Sequence, residues 1–119
     1  MNKVLAVDFD GTLCVTAWPD IGKRKLIHKL VASYVRYKSI HGWTIILNTL
    51  RDKDNKKAPM SLFYAETKCV LWDIPIDFVN ENVPELTEKY GYACKIKANL
   101  YLDDHNIGLL GWLLRKADR

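Results

Sequence analysis

Four short apolar runs, each closed by polar or acidic residues, alternate with stretches of helical periodicity. This alternation restricts the chain more than any other feature. Lys3 to Asp8 (K-V-L-A-V-D) is nearly all apolar, as expected of a strand buried on both faces of a parallel sheet. Trp43 to Asn48 is β-branched and apolar, and Ile76 to Val79 and Leu100 to Leu102 are two shorter strand candidates. Between Arg24 and His41, residues Leu26, Ile27, Leu30, Val31, Tyr34 and Val35 recur at helical spacing, and Gly42 stands where a helix stops. Pro59 opens a second helix lasting to Trp72, with Leu62, Ala65, Cys69 and Trp72 on one side. Pro84 to Tyr90 is a short helix and Leu109 to Lys116 a last one. Strands alternating with helices predict an α/β fold: a mostly parallel sheet of about four to five strands, right-handed crossovers and helices on both faces.

With 119 residues, the chain has the length for one core, so residues 1–119 are expected to form a single domain. No apolar run approaches the roughly 20 residues of a membrane-spanning helix, and the first residues, M-N-K-V-L-A-V-D, do not read as a signal peptide. The expectation is a cytoplasmic protein that uses no membrane. Cys14, Cys69 and Cys94 are odd in number and widely spaced, which suits reduced core thiols better than a disulfide frame or a zinc site. The formal charge of +4 gathers at Lys23-Arg24-Lys25, at Lys53 to Lys57 and near the C-terminus. It suits an anionic ligand, but such a modest excess also fits a solvated surface.

In open parallel sheets the ligand sits beyond the carboxyl ends of the strands, where strand order reverses. Three of the four expected strands end in chemically capable residues: Asp8 to Asp10, Thr49 with Arg51, and Asp103-Asp104. Asp8 is the candidate nucleophile, since a carboxylate can attack phosphorus and divide a difficult hydrolysis into two steps. A magnesium ion, which prefers hard oxygen ligands, would hold it ionised; Asp8, Asp10, Asp103 and Asp104 are the candidate ligands, with either of the last two making the direct bond. Asp10 is placed to protonate the leaving oxygen and then to activate water. Gly11 lets the backbone approach a phosphate and Thr12 can fix the turn, and both count among the candidate substrate contacts. Thr49 offers a hydroxyl, and Asn48 and Arg51 flank it as further substrate contacts. Lys95 or Lys97 offers the cation that phosphoryl transfer requires. Taken singly, each of these has a plain reading as turn or surface chemistry; their coincidence at strand ends is what carries the assignment.

The motifs D-F-D-G-T-L, I-I-L-N-T-L-R and K-I-K-A-N-L-Y-L-D-D resemble those of the haloacid dehalogenase (HAD) superfamily, especially its short phosphatase-like members of bacteria and bacteriophages. The resemblance runs from Val4 to about Gly108 and implies a Rossmann-like, HAD-type three-layer domain. It also implies Asp8 as nucleophile, Asp10 as acid and base, Thr49 and Lys95 as phosphate-binding residues, and Asp103 and Asp104 as magnesium carboxylates. His105 stands where similar members often carry arginine.

The expected activity is magnesium-dependent hydrolysis of a phosphomonoester, small or at a nucleic-acid end; an idle phosphate- or metal-binding module is the alternative from the binding class. The intervals between motifs leave no room for a cap domain. The site is therefore expected to be open, rimmed by the loops 14–22 and 51–58, with Arg51 and Lys53 as extra anion contacts. Such a site implies a large substrate or closure by a partner subunit, for which a homodimer is one route. Trp18 is a candidate for the substrate entrance or for packing on a helix, His105 for a leaving-group contact. His28 and His41 are expected at the surface.

Overall fold

A computed structural model of the chain describes residues 3–90, 96–106 and 108–119. The elements follow the expected alternation: β1 (Val4–Val7), α1 (Leu26–Ile40), β2 (Thr44–Leu47), α2 (Ser61–Leu71), β3 (Phe78–Val79), α3 (Pro84–Tyr90), β4 (Leu100–Leu102) and α4 (Leu109–Ala117). The sheet is wholly parallel with order β3-β2-β1-β4. The chain moves outward from β1 through β2 to β3 and then returns past β1 to β4. The reversal of strand order therefore falls between β1 and β4, beside Asp8. This is a Rossmann-like α/β domain.

Side-chain alternation along the strands divides the interior in two. Leu5 and Val7 of β1 join Ile45 and Leu47 of β2 in the main core, under Val31, Ala32 and Val35 of α1, Ala65 and Cys69 of α2, and Leu114 of α4. Val4 and Ile46 face the other way, toward Val83, Leu86, Ile96 and Ala98. Each buried Leu or Ile contributes about 1.5–3 kcal/mol. Among the described residues a short helix and a loop cover the second face.

Two expectations are corrected. His28 is fully buried at 0% exposure, not at the surface. Its Nδ1 accepts the Lys25 N–H at 2.8 Å, so the imidazole turns inward to close the first turn of α1. His41, by contrast, is exposed at the end of that helix, ahead of Gly42, whose φ of +87° suits a glycine at the stop. The third strand is also shorter than Ile76 to Val79. Asp77 Oδ2 accepts the Ile45 N–H at 2.7 Å, a side chain standing in for a main-chain carbonyl, and the ladder begins only at Phe78.

Candidate active site

All four strands deliver residues to one end of the sheet. The Asp8 N–H donates to the Leu102 carbonyl at 2.9 Å, which ties the end of β1 to the end of β4. The turn that follows is tight: Leu13 N–H donates to the Phe9 carbonyl, and Gly11 N–H to the Cys14 carbonyl, both at 2.9 Å. Gly11 has φ +81°, and a Cβ there would lie 2.6 Å from Asp104 Oδ2, so the turn admits the Asp104 carboxylate only because position 11 is glycine.

A cleft of 410 Å³ opens above this end, lined by Asp8, Asp10, Thr16, Trp18, Thr49, Leu50, Arg51, Asn55, Asp104 and His105. Among the described residues Asp8 has no cation partner. Burial pushes its carboxyl up to about 7, opposed by the Phe9 N–H that it accepts at 2.8 Å and reinforced by the charges of Asp104, Asp10 and Asp103. Asp10 has the opposite setting. The Arg51 guanidinium grips both its oxygens, Nε to Oδ2 at 2.8 Å and Nη2 to Oδ1 at 2.7 Å. Two carboxylates two residues apart thus occupy different electrostatic environments.

Arg51 corrects the sequence reading. It was expected at the rim as an anion contact, yet its side chain is only 1% exposed. Its remaining donors go to the carbonyls of Pro19 at 3.0 Å, Ser61 at 2.9 Å and Asp20 at 2.7 Å. With its Nε and both terminal nitrogens so engaged, no N–H is left for a substrate. Lys53 is exposed on the loop and does not line the cleft.

Thr49 does line it. Its N–H donates to Asn80 Oδ1 at 2.8 Å, and its hydroxyl oxygen accepts the Arg51 N–H at 3.1 Å, which leaves the hydroxyl proton free to be donated. Thr12 was expected among the substrate contacts, but it is wholly buried, and its hydroxyl has no partner among the described residues. Gly11 shapes the turn with its N–H already used. Asn48 opens onto an adjoining groove of 250 Å³ that it shares with Asp8, Thr49, Leu50, Asp103 and His105. The two terminal acids therefore separate: Asp104 stands in the cleft with Asp8 and Asp10, and Asp103 in the adjoining groove, its Oδ1 accepting the His105 N–H at 2.9 Å.

Lys95 lies outside the described residues. Lys97 is at the amino-terminal approach to β4, where its N–H donates to Asn82 Oδ1 at 2.7 Å, and so belongs to the opposite end of the sheet from Asp8. Among the described residues no three carboxylate, imidazole or thiolate groups converge closely enough to hold a metal on their own.

Two contributors escaped the sequence reading. Asn80, just past β3 with φ +53°, accepts the Thr49 N–H and donates to the Arg51 carbonyl at 3.2 Å, bracing the whole 49–51 turn. The signal was its place: the third strand also ends in a polar residue. Arg115 of α4 donates to the carbonyls of Asp104 at 2.8 Å and Asn106 at 3.0 Å, a long-range brace with no local signature.

No family model matches the chain, and no curated protein matches it. Among solved structures it is similar to the conserved protein coded by a locus from Bacteroides thetaiotaomicron, with 24% identity, a TM-score of 0.71, and coverage of 97% of this chain and 88% of that one. Nearly the whole chain thus shares one fold with that protein, a parallel sheet flanked by helices.

Proposed function

We propose that the chain is a magnesium-dependent phosphomonoesterase of the HAD type. The observation that carries this reading is the split between its two leading carboxylates: Asp8 at the end of β1 with no cation partner among the described residues, Asp10 two residues later held in the Arg51 fork. Asp8 attacks phosphorus through a carboxylate oxygen. The bond from phosphorus to the leaving oxygen breaks, and that oxygen takes a proton from Asp10, whose carboxylate must first turn out of the Arg51 fork and take that proton up from solvent. Water then attacks phosphorus and passes a proton to Asp10, the bond to the Asp8 oxygen breaks, and inorganic phosphate leaves. The Thr49 hydroxyl supplies a donor to the phosphoryl oxygens. Lys95 is the cation that the family pattern assigns.

The donors suit magnesium. They are hard oxygens, and this ion uses only one or two protein carboxylates and keeps several waters, so a cluster of three is not needed. Asp8 and Asp104 would hold it, since they share the cleft and Asp10's carboxylate is already paired. When bound, it would neutralise the charge on Asp8 and on the phosphoryl group. Against a nucleic-acid end as substrate stands the lining: among the described residues Arg51 is the one lysine or arginine in the cleft, and it has no donor to spare for a phosphate backbone.

The test is Asp8→Asn against sugar, nucleotide and nucleic-acid-end phosphates with magnesium. Turnover should be lost while the circular dichroism spectrum stays unchanged. Activity retained in this variant would refute the covalent route.

A further inference from the structure

The cleft carries two exposed apolar side chains that folding does not require. Trp18 is 43% exposed and Leu50 101% exposed, and both line the same cavity as Asp8 and Asp10. Leaving a tryptophan and a leucine in water forgoes the stabilisation that their burial would give.

Neither sits on a loose loop. Leu50 lies between Thr49 and Arg51, whose main chains are fixed from both sides by Asn80. Trp18 immediately precedes Pro19 and Asp20, whose carbonyls are held by the same Arg51 guanidinium that grips Asp10. The chain on either side is pinned further, by Val15 N–H to the Lys23 carbonyl at 2.8 Å and Asp20 N–H to the Ala17 carbonyl at 2.9 Å. One arginine thus sets the acid/base carboxylate and the tryptophan loop in a common frame. Asn55, half-buried in the same lining, adds an amide that can pair with polar ring edges.

We infer that the phosphate ester taken by this site has an aromatic leaving group of nucleoside type, its ring lying on Trp18 and Leu50 while Asp8 meets the phosphorus. This rests on the phosphomonoesterase reading. The ring follows from the two apolar groups, because an aromatic face recovers the contact area that they forgo in water.

The experiment compares a purine nucleoside monophosphate with ribose 5-phosphate, both by kcat/KM with magnesium and by calorimetric binding to the Asp8→Asn variant. Binding does not need turnover, so the inference and the reaction fail separately. The nucleotide should be preferred in both measurements, and Trp18→Ala should reduce that preference about tenfold, the scale of one stacked base. Trp112→Ala, an exposed tryptophan on α4 away from the cleft, should leave the ratio unchanged. Equal binding of the two ligands, or a ratio untouched by Trp18→Ala, overturns the inference. Nucleotide-selective binding with no hydrolysis of any ester supports the inference and removes the reaction.

Discussion

At the scale of single residues, Arg51 does more than any other side chain, and it does so from inside the protein. Its guanidinium is buried against one carboxylate and three carbonyls. Removing it strands those acceptors together with a partly buried negative charge, a loss far larger than that of a surface ion pair. Arg51→Met should therefore destabilise the fold by about 3 kcal/mol, the lower end for breaking a buried pair. Urea midpoints check this, and a loss under about 1 kcal/mol would show the fork to be dispensable. The sequence placed Arg51 at the right strand end and assigned it the wrong task. Spacing locates a residue on an element, but whether its donors face solvent or an interior carboxylate depends on the loop at 19–20 and the start of α2 at Ser61, which no local pattern specifies. Asp8, Asp10, Thr49 and Asp104 were legible because strand ends in a parallel sheet converge. Thr12 was misread for the matching reason: the turn rotates it beneath the site instead of into it.

At the scale of elements, the long helix and the first two strands could be read from periodicity to within about two residues. His28 was misread because a polar residue in the first turn can serve the helix by facing inward. Burial, together with Lys25 and Arg24, holds its imidazole below the usual range, and Asp118 only partly offsets them. Its Nε2 has no partner among the described residues. The folded chain therefore resists a proton that the unfolded chain accepts near pH 6.5. The stabilising contribution is full above that pH and is lost as pH falls below it. The raised Asp8 carboxyl acts in the opposite sense over the same range, because folded Asp8 takes up a proton that the unfolded chain does not. The His28 contribution is therefore read as a difference: between pH 7 and pH 5 the wild type should lose melting temperature relative to His28→Gln, which titrates nothing. Identical slopes in the two proteins would place the acid sensitivity elsewhere.

At the scale of the whole molecule, no helix of the described residues is long and apolar enough to cross a membrane. Cys14 and Cys69 are both free and buried, and burial pushes their thiols up to about 11 and about 12. Thiolate is the reactive form, so neither should be modified while the chain is folded. A chromogenic disulfide reagent should find at most one of the three cysteines in native protein and all three in urea; two or more reacting natively would mean that the core opens. The two outer strands of the sheet bear a different consequence. β3 contributes two residues and β4 three, and β4 ends directly in Asp103-Asp104. Strand edges this brief, one of them closed by paired negative charges, offer little template for a neighbouring chain to extend the ladder. Asp103 and Asp104 thereby also guard the sheet against edge-to-edge polymerisation, and a substitution that neutralised both would expose the protein to aggregation.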